Sequence, residues 1–164
     1  MVNDKVGDLM IPLAHYSTLN KKATFEDAVN LMIESAKEKG FRWVIVLDDE
    51  ERITGILTLR AVYEALGTLA SKAGGWMGLS FSHSEIFFWD GLKLMKDTPV
   101  TKFIRPVVEA YVMESDPPSR AVELILKKHI TIVPVLDNNL KVVGIIRPVD
   151  LLPFIKKLFE VNLS

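Results

Sequence analysis

The sequence contains no cysteine among its 164 residues, which excludes disulfide bonds, thiolate metal sites and cysteine nucleophiles. It also lacks an excess of charge, because 20 lysines and arginines offset 21 aspartates and glutamates, which leaves no electrostatic case for binding nucleic acid or anionic lipid. No apolar run approaches the roughly 18 residues of a membrane span, and the amino terminus lacks the basic start and apolar core of a signal peptide. We therefore expect a cytoplasmic location, no membrane span and no nucleic-acid partner.

Catalytic motifs are missing as well. The three histidines, His15, His83 and His129, are far apart in the sequence and show no metal-ligand spacing. No metalloprotease, nucleophile-elbow or phosphate-loop pattern is present, and the glycine-rich segment 74–78 lacks the lysine of a phosphate loop. We therefore predict that the protein is not an enzyme, holds no metal and requires no cofactor.

What the sequence does contain is an internal repeat. The segment VIVLD at 44–48 is echoed by VPVLD at 133–137, and GIL at 55–57 is echoed by GII at 144–146. The offset is 89 residues in both cases, from 44 to 133 and from 55 to 144, so the segments between the matches need no gap. Upstream of these matches, VGDLMIP at 6–12 is similar to VTKFIRP at 100–106. Two copies therefore fill most of the chain.

Both copies predict the same order of helices and strands. Thr24 is predicted to cap a helix that ends at Gly40, and in the second copy Asp116 is predicted as the cap with Pro117 as the first helical residue. A hairpin of β-branched strands with a polar turn follows in each copy. Closing helices are predicted from about Leu59 to Leu69 and from Pro148 to about Glu160. The predicted fold is therefore α/β (α+β), with two tandem β-α-β-β-α units.

The pattern apolar-x-Pro-Val-x-Asp, polar turn, Gly-apolar-apolar and a four-residue step to Asp resembles the CBS domain. The resemblance covers about residues 6–67 and 100–159, and the chain looks like a CBS pair, or Bateman module, of the stand-alone bacterial or archaeal type. It divides the chain into a first CBS domain at 1–67, an aromatic insertion at 68–99 and a second CBS domain at 100–164. Such a pair implies packing around a pseudo-twofold axis, up to two clefts for adenosine nucleotides or related ligands, and a homodimer.

The resemblance also implies which residues bind the ligand. Family members that bind AMP or ATP carry Gly-apolar-apolar-Ser/Thr-x-x-Asp, whose carboxylate accepts hydrogen bonds from the ribose hydroxyls. The first copy has Thr58 but Ala61 at the aspartate position, whereas the second has Asp150 but Arg147 at the hydroxyl position. The second cleft is therefore expected to bind, with Asp150 on the ribose and Arg147 on a phosphate, while Thr58 is the candidate of the first cleft. The residues expected to frame the adenine or flank the ligand are Ile130, Thr131, Ile132, Val133, Pro134, Tyr111 and Val112.

Each proposed ligand contact also has a purely structural explanation. An acidic residue such as Asp150 is favourable in the first turn of a helix with no ligand present. Arg147 also fits a solvated or interfacial charge, and Thr58 fits a helix cap.

The segment between the copies, from about 67 to 98, is too apolar for a free tether. Among the large apolar residues that make it so are Trp76, Met77, Phe81, Phe87, Phe88 and Trp89. Its apolar residues are expected to pack against the protein's own fold, against the second protomer of a dimer, or against another partner or a membrane surface.

The sequence as a whole predicts a regulatory sensor that binds an adenosine-containing ligand, namely AMP, ADP, ATP or S-adenosylmethionine, in the second cleft. A homodimer is expected, and a regulated protein partner is compatible with this role. The alternative is a ligand-free dimerisation or protein-interaction scaffold that works through the aromatic insertion.

Overall fold

The computed structural model describes residues 3–72, 82–106 and 110–161, which form two compact units. Unit 1 comprises the described residues of 1–15, 51–53 and 107–164, and unit 2 comprises those of 16–50 and 54–106. Within the described residues, the helices are α1 (Val6–Leu9), α2 (Phe25–Lys39), α3 (Leu59–Lys72), α4 (Ser82–Lys96), α5 (Pro118–Lys128) and α6 (Leu152–Val161). The strands are β1 (Ile11–Pro12), β2 (Thr18–Asn20), β3 (Trp43–Leu47), β4 (Ile53–Thr58), β5 (Arg105–Pro106), β6 (Val112–Met113), β7 (Val133–Leu136) and β8 (Val142–Ile146). Short 3-10 helices lie at Leu13–His15, Val100–Lys102 and Pro148–Leu151.

The two sheets show that the repeats exchange their first strands. The strand order is β1-β8-β7-β6 in unit 1 and β2-β3-β4-β5 in unit 2. Strand β1 of the first repeat lies antiparallel to β8 of the second, with Ile11 opposite Ile145. Conversely, β5 lies antiparallel to β4, with Arg105 opposite Ile56. Each unit therefore combines segments of both repeats, and the sequence boundaries at residues 67 and 100 stay a prediction.

Gly55 and Gly144 occupy equivalent positions in the two repeats, and each lies beside the strand that comes from the other repeat. A Cβ atom at Gly55 would lie 2.5 Å from the Arg105 carbonyl oxygen, and one at Gly144 would lie 2.5 Å from that of Ile11. Glycine within a strand marks such close approaches of another backbone. The repeated GIL and GII segments therefore keep their glycine because it admits the exchanged strand.

Helix α2 begins and ends as predicted. The Thr24 hydroxyl accepts a hydrogen bond from the Asp27 backbone N–H at 3.1 Å, and the Asp27 carboxylate accepts one from the Thr24 backbone N–H at 3.0 Å. These bonds stabilise the charged carboxylate and lower the pKa of Asp27 below its ordinary value. Gly40 ends the helix with a φ of 74°, the left-handed conformation that favours glycine.

The start of α5 was predicted one residue too early. Pro117 is extended and acts as the N-cap, while Pro118 is the first helical residue. The cause is the second proline, because a residue that precedes proline is disfavoured in the helical region. Asp116, predicted as the cap, instead accepts a hydrogen bond from the Met113 backbone N–H at 2.8 Å.

Each unit has its own hydrophobic core. In unit 1, Val6 from the exchanged segment is fully buried with residues of the second repeat, among them Val112, Val133 and Ile146. The unit 2 core joins helix α2 to strands β3 and β4, and Val100 from the start of the second repeat is buried in it. The exchanged segments thus contribute fully buried side chains as well as strands.

The segment between the repeats is helical where it is described. Helix α3 continues to Lys72, and helix α4 begins at Ser82. Phe88 of α4 is buried against Ala70, and Gly91 contacts the Leu69 side chain closely, so α4 packs on α3 within unit 2. Trp89 is 57% exposed. Trp76, Met77 and Phe81 lie outside the described residues, as does the Phe87 side chain, so the aromatic insertion stays a prediction for that part.

Candidate functional site

The predicted binding residues of the second repeat all belong to unit 1. Arg147 directly follows β8, and Asp150 lies in the 3-10 helix that leads into α6. Pro148 keeps Arg147 extended, with φ −117° and ψ 162°, and fixes the first helical position. This local geometry places the two charged side chains on the same side of one turn.

Arg147 and Asp150 are bonded to each other. The Arg147 Nε donates to Asp150 Oδ2 at 2.9 Å, and Nη2 donates to Oδ1 at 2.7 Å. The Arg147 backbone N–H also donates to Oδ2 at 2.9 Å. The side chains are 26% and 10% exposed, respectively, so this bidentate ion pair is partly shielded from solvent. The structure therefore brings together the two charged groups that the sequence assigned to phosphate and ribose.

The carboxylate of Asp150 repeats a capping arrangement seen elsewhere in the chain. Its bond to the Arg147 backbone N–H matches the bond from the Thr24 backbone N–H to Asp27. Asp150 therefore caps this turn in the absence of a ligand, and its carboxylate also binds the Arg147 guanidinium. The ribose and phosphate roles of the pair stay predictions.

The residues expected to frame the adenine differ in what their side chains contact. Val112, Ile130 and Val133 belong to the unit 1 core, and Ile132 and Pro134 are also buried. Tyr111, 39% exposed, and Thr131 present exposed side chains. A ligand at this strand end would therefore meet mainly backbone from the buried residues and side chains from Tyr111 and Thr131.

Thr58, the candidate of the first cleft, belongs to unit 2 and caps α3. Its hydroxyl accepts a hydrogen bond from the Ala61 backbone N–H at 3.2 Å. The sequence analysis missed an aromatic cluster in the same unit, in which Tyr16 packs 4.4 Å from Phe41 and 5.7 Å from Trp43, measured between ring centroids. The sequence did contain a signal for this cluster. The 89-residue offset aligns Phe41 and Trp43 with Ile130 and Ile132, two of the residues expected to frame the adenine in the second repeat.

Among the described residues of unit 2, one set lines a cavity of mixed polarity and another an apolar cavity. The first, of about 420 Å³, has both polar and apolar walls, and its residues are Ala61, Glu64, Ala65, Thr68, Leu69, Lys72, Met95, Lys102 and Phe103. The second, of about 350 Å³, is an apolar groove between α2 and α3, and we call it the α2–α3 groove. Its residues are Val29, Met32, Ile33, Ala36, Arg42, Leu59, Val62, Tyr63 and Leu66. None of the predicted ligand residues lines either cavity.

Within the described ranges, no group of three or more histidine, aspartate or glutamate residues is placed to hold a metal ion. None of the helices that the structure describes is both long and apolar enough to cross a membrane.

Comparison with known proteins places these features in a family. The uncharacterized protein MJ1004 of Methanocaldococcus jannaschii is 31% identical over 158 residues, which cover 96% of this chain and 59% of that protein. The chain therefore spans less than two thirds of this relative. The crystal structure of MJ1004 superposes with a TM-score of 0.62 at 27% identity, covering 95% of this chain and 61% of that one.

Other solved structures share the fold. CBSX2, a CBS-pair protein from Arabidopsis thaliana that was crystallised with AMP, has a TM-score of 0.67 at 17% identity, covering 94% of this chain and 98% of its own. The cytosolic domain of the Mg²⁺ channel MgtE, crystallised with ATP, has a TM-score of 0.64 at 21% identity, covering 93% of this chain and 49% of its own. A sequence model described as the CBS domain matches residues 6–68 and 93–157, most of the chain and in two copies. The chain belongs to the CBS domain family and contains a tandem pair of its repeats.

Proposed function

We propose that the protein is a non-catalytic regulatory module that binds an adenosine-containing ligand at the second repeat. The observation that carries this proposal is the Asp150 carboxylate, which the Arg147 backbone N–H holds at the end of β8. A carboxylate fixed in this way accepts hydrogen bonds from a diol without first losing conformational freedom. Complexes of two proteins with this fold, CBSX2 with AMP and MgtE with ATP, support the choice of ligand class.

A ligand regulates only through different affinities for two arrangements of the protein. The exchanged strands supply a physical link between the repeats, because β1 of the first repeat is part of the sheet that ends at Arg147. A ligand that shifts the end of β8 therefore acts on a sheet to which both repeats contribute. The regulated partner is a separate protein or a segment of a longer chain.

Thermal unfolding with a panel of ligands tests the proposal. The wild-type chain is heated with AMP, ADP, ATP or S-adenosylmethionine and without ligand. Saturation at 100 times the Kd adds about 2.7 kcal/mol to the free energy of unfolding and raises the Tm by about 5–10 °C. A Tm that none of the four ligands changes would reject nucleotide sensing and favour the scaffold alternative.

We also propose a homodimer that forms through the α2–α3 groove. Ile33, Leu59 and Tyr63 along this groove are 47%, 37% and 63% exposed, an apolar surface that gains from being covered. A charge at its most exposed residue, introduced by Tyr63→Glu, is expected to convert the dimer to an 18.4 kDa monomer and to lower the Tm by the stabilisation that the dimer contact provides. Light scattering coupled to size-exclusion chromatography measures the mass.

Trp89→Ala is the matched variant for the scaffold alternative, because Trp89 is the exposed aromatic residue of α4 whose side chain is described. The buried Phe88 is unsuitable, since its loss would unpack α4 from α3. If Trp89→Ala dissociates the dimer and Tyr63→Glu leaves it intact, self-association works through the segment between the repeats and the groove proposal is wrong.

A further inference from the structure

The ion pair between Arg147 and Asp150 joins the two side chains that the proposed site needs for its ligand. The first repeat has no counterpart, because Thr58 and Ala61 stand at these two positions. The pair also differs from an ordinary surface bridge such as Arg60–Glu64, whose side chains are 86% and 63% exposed. What the Arg147–Asp150 pair implies for the choice of ligand rests on the function proposed above for this site.

The number of acceptor sites on Asp150 limits what the closed pair can bind. A carboxylate offers about four lone-pair sites. At least three are used, since Oδ2 accepts from the Arg147 backbone N–H and from Nε, while Oδ1 accepts from Nη2. At most one site remains, whereas the two hydroxyls of a ribose diol need two. The closed pair therefore cannot hold a ribose through both hydroxyls.

Opening the pair requires a group that competes with Asp150 for the guanidinium. A phosphate suits this role, because arginine binds phosphate in the same bidentate geometry as carboxylate and a phosphate dianion carries more charge. When the guanidinium turns to the phosphate, two acceptor sites of Asp150 become available to the diol. The Arg147 backbone N–H still holds the carboxylate in place, because that bond does not involve the side chain.

We propose that the Arg147–Asp150 pair makes the second-repeat site selective for ligands that carry a phosphate and a ribose diol together, that is, for ribonucleoside phosphates. A nucleoside without phosphate leaves the pair closed. S-adenosylmethionine carries no phosphate: its sulfonium does not attract the guanidinium, and its single carboxylate has less charge than a phosphate dianion and so competes less well with Asp150. The pair thus determines specificity: the phosphate of the ligand draws the guanidinium away, and the Asp150 carboxylate then accepts hydrogen bonds from the ribose diol of the same ligand.

Isothermal titration calorimetry with AMP, adenosine and S-adenosylmethionine tests this proposal on three proteins: wild type, Arg147→Thr and the control Arg60→Thr. Arg147→Thr introduces the residue of the first repeat and leaves the Asp150 carboxylate open. The wild type is expected to bind AMP at least about thirtyfold more tightly than adenosine. Arg147→Thr is expected to bind adenosine about tenfold more tightly than wild type and AMP more weakly, so that the ratio falls to within about threefold.

The control Arg60→Thr removes an exposed bridge and is expected to keep the wild-type ratio. Circular dichroism confirms that each variant is folded, and Arg147→Gln, which retains more of the side chain, replaces Arg147→Thr if that variant is not. A ratio that Arg147→Thr leaves unchanged while binding persists overturns the proposal and leaves the nucleotide site standing. Failure of both wild type and Arg147→Thr to bind any of the three ligands, together with a wild-type Tm that ADP and ATP leave unchanged, overturns the proposed function and this inference together.

Discussion

Replacing Asp150 with alanine is expected to abolish the Tm shift of about 5–10 °C that a saturating nucleotide gives to the wild-type protein. The variant removes the acceptor for the ribose diol and leaves the half-buried Arg147 guanidinium without its carboxylate. The unliganded Tm is therefore expected to fall as well, by an amount corresponding to about 1–3 kcal/mol. The test is the difference between the Tm with and without AMP, measured within each variant, so that the lower starting stability does not obscure it.

Asp27→Ala is the matched control for this experiment. Asp27 has the same capping bond to a backbone N–H but belongs to unit 2, whereas the predicted ligand residues of the second repeat belong to unit 1. It is expected to lower the unliganded Tm and to keep the full shift with AMP. An undiminished shift in Asp150→Ala would show that the carboxylate does not hold the ligand, whatever the shift in the control.

Gly144→Ala is expected to give the largest loss of stability, about 3 kcal/mol, because its Cβ would lie 2.5 Å from the Ile11 carbonyl oxygen. The strain is relieved only if β1 moves away from β8, which breaks their pairing and disturbs the packing of Val6 in the unit 1 core. A Tm lower by about 6–12 °C and faster hydrogen exchange in residues 3–12 are the expected measurements.

Gly67→Ala supplies the contrast, since a Cβ atom there meets nothing within 4 Å and the residue lies inside α3. Alanine favours a helix over glycine by up to about 1 kcal/mol, so this variant is expected to be unchanged or more stable. If Gly144→Ala has the same Tm as Gly67→Ala, the close approach of β1 does not require glycine at position 144.

Local signals predicted the parts of the fold that neighbouring residues determine. Thr24, Asp27 and Gly40 mark the ends of α2 through contacts within a few residues, and the equal spacing of the repeats predicted both hairpins. The start of α5 was missed by one residue because the two adjacent prolines each offered a plausible first position. Helix α3 was predicted to end near Leu69 but continues to Lys72.

The local signals in the sequence did not predict the strand exchange or the ion pair between Arg147 and Asp150. A strand of two residues such as Ile11–Pro12 does not indicate which hairpin it joins, because that depends on surfaces distant in sequence. Arg147 and Asp150 were each predicted to face a ligand, although their spacing of three residues also suits a mutual contact. The sequence therefore indicated the chemical groups of the site, while their pairing required three-dimensional geometry.

The strand exchange has a consequence for how the chain folds as it is synthesised. Unit 2 is almost continuous and has its complete sheet once Pro106 has left the ribosome. Unit 1 must wait, because Ile145 is synthesised 134 residues after its partner Ile11. The segment that contains Val6 and Ile11 therefore lacks its partner strand until the second hairpin has been synthesised, and the large loop that it closes makes this the slow step. Unit 2 is accordingly expected to fold first on the ribosome, with unit 1 closing only after the second hairpin is complete.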